Sequence, residues 1–189
     1  MKRLSFYGVV FAALACTTAC NNKNSKDAAE ETNEQRADSG VVNVSDDASS
    51  FVVNAANGGM MEVQLGQLAQ TNAASADVKK FGQRMIDDHS KANDELKAVA
   101  AKKNIAIPDS VSGDKHDMIA KLRDKKGKDF DEAYMDMMVD DHHEDIDEFQ
   151  KAADNVKDAD ISGFASRTLP TLQEHLKMAQ QIDSTMKHK

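Results

Sequence analysis

From residue 49 onward, apolar side chains recur at spacings of three and four residues, the period of an amphipathic α-helix. The clearest stripe follows Ser75, a favourable residue for a helix N-cap, and ends before Pro108. Its members are Val78, Phe81, Met85, His89, Ala92, Leu96 and Val99. The segment 129–156 has a similar stripe, formed by Phe130, Tyr134, Met138, His142, Ile146, Phe149 and Ala153. Because no segment alternates polar and apolar residues for long enough to form a strand, we predict an all-α domain.

The first long helix of this domain is predicted over 51–72. Ser49 or Ser50 precedes its apolar positions and is the expected N-cap. The pair Gly58 and Gly59 lies in its middle and has two interpretations. Either the glycines break the helix, or they let a neighbouring helix approach closely.

Two more helices complete the predicted set. A short one is expected over 114–125, ending before Gly127. The last covers 161–186, and Pro170 within it is expected to kink or locally break the backbone ladder. Four long helices and one short helix are therefore predicted.

An internal echo relates the second and fourth of these helices. Residues 85–89 read Met-Ile-Asp-Asp-His, and residues 138–142 read Met-Val-Asp-Asp-His. About 24 residues, including the short helix, separate the two long helices, which is enough to run back along a bundle. We therefore predict that these helices are parallel, in a ferritin-like four-helix bundle with one long crossover that contains a short extra helix.

Each long helix carries one ionisable group near its middle, and these groups are Glu62, His89, His142 and His175. Asp88 and Asp141 stand next to two of the histidines. Because a buried polar group without a partner costs about 1–3 kcal/mol, the groups are expected to pair. The first interpretation is a structural histidine–carboxylate network. The alternative is a metal site, since imidazole with carboxylate suits Zn, Fe, Cu or Ni.

Ferritin-type di-iron chemistry is disfavoured by the residues present. That site takes a Glu-x-x-His pair from each of two helices. Ile86, Val139 and Leu172 stand three residues before the three mid-helix histidines instead. No catalytic residue is predicted, and a transition metal is the cofactor that the pattern suggests.

The N-terminus resembles an export signal over 1–19, with basic residues, a short apolar run and small residues before Cys20. We interpret Cys20 as the lipidation site of a bacterial lipoprotein, with Cys16 as a weaker alternative. Both cysteines of the chain lie here, so no disulfide is predicted in the domain. The polar segment 20–48 is expected to be a disordered tether, and 49–189 the bundle domain.

Charge and length narrow the possible partners. The chain has 189 residues, which allows one domain, and a formal net charge of −8. Loss of the signal, which contains two basic residues and no acidic one, makes the net charge −10. A chain this acidic is not expected to bind nucleic acid. The lipid anchor makes the membrane the expected partner, and the sequence identifies no protein partner.

Several segments together are similar to the family of exported bacterial proteins and lipoproteins known as DUF4142. They are 51–60, 62–66, 85–96, Phe130, 138–142 and 168–172 with His175, and they include the Gly-Gly-Met sequence and both Asp-Asp-His sequences. The resemblance implies a ferritin-like helical domain, on the periplasmic side, without an established activity. It provides no catalytic residues.

The expected function is therefore a binding or structural role, without enzymatic activity, in the bacterial cell envelope. The protein is expected at the outer membrane, lipid-anchored and facing the periplasm. The alternative is a metal-binding or redox ferritin-like protein that uses the mid-bundle histidine and carboxylate groups.

Overall fold

Six α-helices account for most of residues 24–188, the part of the chain that the computed structural model describes. They are α1 (Ser25–Asp38), α2 (Asp46–Asn72), α3 (Ala76–Lys102), α4 (Asp114–Arg123), α5 (Gly127–Asn155) and α6 (Ala159–Lys187). Within the described residues there is no strand, only an isolated bridge between Ala73 and Gly127. The predicted all-α class is confirmed. The signal segment and both cysteines lie outside the described residues.

Polar N-caps set the start of three long helices. Ser45 accepts a hydrogen bond from the Ala48 amide at the start of α2, and Ser75 does the same for Val78 in α3. Asp158 accepts from two backbone amides at the start of α6. The predicted cap at Ser49 or Ser50 is wrong, because α2 begins earlier, at Asp46. Two aspartates in its first turn favour that earlier start.

The two predicted weak points do not end their helices. Helix α2 continues through Gly58 and Gly59, and a Cβ at Gly59 would overlap the Asn93 side chain of α3. A Cβ at Gly66 would lie 2.6 Å from the Gly82 carbonyl oxygen of α3. These glycines therefore permit close helix contact. Helix α6 also continues through Pro170, which is on the exposed side of the helix, where water can satisfy the carbonyl that loses its donor.

Side-chain pairs fix the helix directions. The Asn54 amide near the start of α2 donates to Glu148 near the end of α5, at 3.1 Å. Lys102 at the end of α3 pairs with Asp160 at the start of α6, at 2.7 Å. Both pairs of helices are therefore antiparallel. Since α2 and α3 form one hairpin and α5 and α6 another, α3 and α5 run parallel, as predicted from the long crossover.

Helix α1 corrects the predicted tether. The segment 20–48 was expected to be disordered, and this is wrong for Ser25–Asp38. The Asn33 side chain donates to the Ala106 carbonyl at 2.9 Å and accepts from the Ala106 amide. Arg36 donates to the Asn104 carbonyl at 2.8 Å. These polar contacts hold α1 on the crossover, and a count of large apolar residues does not detect them.

The core consists of two apolar clusters, one toward each end of the bundle. The lower cluster includes Phe51, Val52, Leu96, Phe149, Phe164 and Leu172. The upper cluster includes Met61, Phe81, Met85, Tyr134, Met135 and Met138. The methionines at 135 and 138 therefore fill the core, as expected of this flexible side chain. Among the six described helices, none has an apolar stretch of the length that crossing a bilayer requires.

Candidate metal centre

A layer of ionisable side chains separates the two clusters. It contains Glu62 from α2, His89 from α3, His142 from α5 and His175 from α6, so each long helix contributes one residue. Their exposed fractions are 1%, 5%, 0% and 0%. The sequence placed all four at mid-bundle height, and the structure brings them together there. What they do chemically depends on where their protons lie.

The proton of neutral His142 is fixed by its own helix. Nδ1 of His142 lies 2.9 Å from the carbonyl oxygen of Met138, one turn earlier. A carbonyl only accepts, so Nδ1 carries the proton and donates. Nε2 of the neutral ring then has a free lone pair, which points into the layer toward His175.

The proton of neutral His175 is fixed by a carboxylate. Nε2 of His175 lies 2.9 Å from Oδ2 of Asp88, so Nε2–H donates and Nδ1 has the lone pair. The same Asp88 oxygen accepts from Arg84, which also reaches Glu174 at 3.2 Å. Asp88 thus does not enter the layer but orients one of its imidazoles. This carboxylate–histidine arrangement is typical of residues that support metal ligands.

The two lone pairs face each other. Nε2 of His142 is 3.4 Å from Nδ1 of His175. With both other nitrogens donating elsewhere, no proton remains for a hydrogen bond between them. Ligands around a tetrahedral Zn²⁺, at about 2.0–2.1 Å from the ion, lie about 3.4 Å apart. The observed separation therefore equals one edge of such a site.

Glu62 and His89 contribute one paired and one unpaired atom each. Nδ1 of His89 lies 2.7 Å from Oε2 of Glu62. The other atoms, Nε2 of His89 and Oε1 of Glu62, are buried without a hydrogen-bond partner among the described residues. Oε1 lies 3.5 Å from Nε2 of His142, a second separation close to a tetrahedral edge. Each of these two buried atoms without a partner costs about 1–3 kcal/mol, and a ligand that paired with both would remove that cost.

The three imidazoles converge as a set. One nitrogen from each of His89, His142 and His175 lies within 4.8 Å of one nitrogen from the other two. A second group of the same kind is formed by Glu62, Asp141 and His142. Both groups include His142, so the ring is the centre of the layer. The three imidazoles form one group, and Glu62 joins it through its contact with His142.

Burial keeps the layer close to neutral. Desolvation lowers the pKa of His89 and of His175 to about 4 each, and also lowers that of His142. The imidazoles are therefore in the uncharged form that binds metals. Desolvation raises the pKa of Glu62 to about 8, with the neighbouring Asp141 acting in the same direction against His142 and Lys115. In the metal-free protein Glu62 thus holds a proton at neutral pH.

Asp141 is buried beside the layer and reaches a residue of the crossover. Its Oδ1 accepts a hydrogen bond from the Lys115 ammonium of α4. Its Oδ2 has no hydrogen-bond partner within the described part of the chain. Burial opposes the charge on Lys115, but the charge of Asp141 and the hydrogen bond to it hold the pKa of Lys115 above its ordinary value. The short helix therefore supplies the counter-charge of the centre.

Lys115, Arg84 and Asp145 belong to the site and were not predicted from the sequence. Lys115 lies in the crossover, whose path the helical period does not specify. Arg84 precedes Asp88 by four residues, the spacing of an ion pair along a helix, which is a usable signal. Asp145 follows Asp141 by four residues, on the same side of α5. The neighbouring His143 is exposed and contacts Gln180, outside the layer.

The fold and the layer together define a class: an all-α four-helix bundle with one long crossover and a buried histidine–carboxylate centre. The chain belongs to the DUF4142 family (Domain of unknown function), whose family model matches residues 31–182. The match begins inside α1 and ends inside α6, so it contains α2, α3 and α5 and most of α6. No curated protein and no solved structure matches the chain.

Proposed function

We propose that this protein binds one divalent transition-metal ion in the middle of its bundle and does so without enzymatic activity. The ligands are His89, His142 and His175, with Oε1 of Glu62 as the fourth. Imidazole ligands suit Zn, Cu, Fe and Ni, and three nitrogens with one oxygen in tetrahedral arrangement suit Zn²⁺ best. The observation that carries the proposal is the pair of opposed lone pairs, 3.4 Å apart, on His142 and His175.

Binding supplies what the metal-free layer lacks. An ion at the centre pairs with both lone pairs, and it also pairs with the two orphaned atoms of His89 and Glu62. Loss of the Glu62 proton accompanies binding, so part of the ion's charge is compensated locally. Glu62 then accepts from His89 Nδ1–H and fixes the tautomer whose Nε2 is free to bind.

The size of the adjoining space supports a binding role over catalysis. The cavity beside Glu62 and His89 has a volume of about 20 Å³. That volume holds about one water molecule and excludes an organic substrate. An ion at the centre, beside this cavity, is enclosed by four protein ligands, as in structural rather than catalytic zinc sites.

The proposal includes the cell envelope. We infer that Cys20 is lipidated and anchors a ferritin-like domain at the outer membrane, facing the periplasm. The apolar run before Cys20 supports this, and α1 begins five residues after that cysteine. Five residues span at most about 18 Å, so the bundle lies close to the membrane surface. Cys20→Ser is expected to release the protein from the membrane fraction, and retention with Cys16 intact contradicts Cys20 as the anchor.

The metal proposal is tested by elemental analysis of protein purified without chelator, followed by Co²⁺ titration of the metal-free form. One ion per chain and a visible Co²⁺ spectrum of tetrahedral type are expected. His142→Ala removes the central ligand and is expected to abolish both. The matched control is His143→Ala, which changes the adjacent exposed histidine on the same helix. Equal loss in the two variants, or no uptake by the unmodified protein, contradicts the proposal.

A purely structural network is the second candidate. Each of the three histidines has one hydrogen-bond partner, namely Glu62, Met138 and Asp88 in chain order. In this case the unmodified protein binds no metal, and His89→Ala destabilises the fold by about 1–3 kcal/mol because Glu62 loses its partner.

A further inference from the structure

We propose that metal ions reach the buried centre through a polar passage between α2, α4 and α5, in which Asp145 connects a surface cleft to the inner cavity. This inference rests on the proposed metal site. It assigns a role to an acidic side chain that belongs to neither of the two groups of possible ligands. Three features of the structure carry it: the outer cleft, the inner cavity, and the residue that lines both.

The outer cleft has a volume of about 180 Å³ and a negative lining. Its acidic side chains are those of Asp114, Glu144 and Glu148 together with the more buried Asp145, and its cationic groups are those of Lys26 and Lys115. Lys115 is already paired with the buried Asp141, so its charge is largely balanced. A cleft with excess negative charge raises the local concentration of cations and their rate of entry.

The inner cavity lies directly beside the centre. It is lined by Glu62 and His89, whose orphaned atoms are buried and unpaired within the described residues. Its volume of about 20 Å³ accommodates one water molecule, or one ion that has lost most of its hydration shell. The cavity is therefore the last position before the four ligands.

Among the described residues, Asp145 alone lines both the cleft and the inner cavity. It lies one turn after Asp141 on α5 and is partly buried. A carboxylate at this point can replace water ligands of an entering cation before the imidazoles do. Asp145 is therefore a positioning residue for uptake, and it is not a member of the final ligand set.

The passage is tested by stopped-flow measurement of Co²⁺ uptake by the metal-free mature chain. Asp145→Asn removes the carboxyl group that can release its proton and replace a water ligand of the entering ion, and it is expected to slow association about tenfold, with the dissociation rate nearly unchanged. Asp147→Asn is the matched control. It makes the same substitution two residues away, on the exposed side of the same helix, and is expected to load at the unmodified rate.

A second variant tests the space in the inner cavity rather than the carboxyl group of Asp145. Gly58 is buried and lines the inner cavity, and a Cβ added there meets no atom within 4 Å. Gly58→Ala therefore places a methyl group in the cavity while favouring the helix, and slower uptake is expected. Unmodified rates in both Asp145→Asn and Gly58→Ala overturn the passage.

The other possible results of these uptake measurements also test the proposed passage. A change confined to dissociation makes Asp145 part of the ligand shell and overturns its role in entry. Faster uptake after Arg84→Met, with Asp145→Asn unchanged, assigns entry to the Asp88 side of the layer instead. If the unmodified protein takes up no Co²⁺, the metal site itself fails, and this result is distinct from a site that fills at the same rate in every variant.

Discussion

The two copies of the Asp-Asp-His sequence, one in α3 and one in α5, lie in very different surroundings. Asp88 is partly exposed, with 28% of its side chain accessible, and it pairs with Arg84 on its own helix. Asp141 is fully buried and pairs with Lys115 from the crossover. Asp88 orients a histidine of another helix, whereas Asp141 lies beside Glu62 and His142 of the layer. Parallel helices with similar sequences therefore do not provide equivalent groups.

The comparison shows how neighbours decide the role of a repeated motif. Asp141 of the α5 copy is buried, so its carboxylate requires the counter-charge that Lys115 of α4 provides. Asp88 of the α3 copy keeps contact with solvent, so its charge depends less on its cation, Arg84. Burial acts to raise the pKa of Asp88, but hydrogen bonds from Arg84 and His175 hold that pKa below its ordinary value. The predictions below test this contrast.

The largest effect is expected at Lys115. Lys115→Met leaves the Asp141 carboxylate buried without its cation, and removal of one partner of a buried pair costs about 3–5 kcal/mol. The measurement is urea unfolding of the metal-free protein at neutral pH. Adding Asp141→Asn to this variant removes the orphaned charge and is expected to recover part of the loss. No recovery in the double variant contradicts the assigned pairing.

A smaller effect is expected on metal affinity at Asp88. Asp88→Ala removes the acceptor that fixes the His175 tautomer, and such supporting residues change affinity about 10- to 100-fold. Competition with a chromophoric chelator measures the change for Zn²⁺. Asp87→Ala is the matched control, because Asp87 is exposed and bonds only Gln83 among the described residues. Equal affinity in both variants contradicts a supporting role for Asp88.

The sequence predicted part of this arrangement, and the parts that it did not predict have physical reasons. The level of Glu62, His89, His142 and His175 follows from helix length and period, since each residue lies near the middle of its helix. The crossover length predicted the parallel direction of α3 and α5. The partner of Asp141 was not predictable, because the Lys115 segment has no period that fixes its position. Helix α1 was missed because polar groups such as Asn33, and not a core of its own, hold it.

The pH dependence of stability gives a third test of the buried side. The folded protein holds the Glu62 proton up to about pH 8, whereas the unfolded chain releases it near the ordinary value of 4.5. The stabilisation of the folded state by protonated Glu62 is therefore complete below pH 4.5 and is lost as pH rises through 8. Between pH 7.2 and 8 the histidines are largely neutral in both states, because their ordinary pKa of 6.5 lies below this range. Metal-free stability is therefore expected to fall as pH rises from 7.2 to 8.

Glu62→Gln removes one titrating group from this range. In this variant the unfolding free energy is expected to fall less steeply with pH, by about 1 kcal/mol per pH unit. One titrating group can change that slope by at most about 1.4 kcal/mol per pH unit. Part of the slope remains, because burial also raises the pKa of Asp145. Urea unfolding with chelator at pH 7.2, 7.6 and 8 measures this slope. An identical slope in the Gln variant contradicts the assignment of the proton to Glu62.

The smallest effect is expected at Arg84, the counterpart of Lys115 in the α3 copy. Arg84→Met also leaves an aspartate without its cation, but 40% of the Arg84 side chain is accessible and Asp88 remains in contact with water. Exposed pairs contribute about 0.2–1 kcal/mol, so the loss is expected to stay within that range. Asp88 also keeps the hydrogen bond from His175, so metal affinity is expected to change by less than in Asp88→Ala. Unfolding of Arg84→Met beside Lys115→Met, in the same buffer, measures the contrast directly. If Arg84→Met lowers the free energy of unfolding as much as Lys115→Met does, Asp88 and Asp141 are equally desolvated. That result contradicts the contrast between a buried and a solvated aspartate.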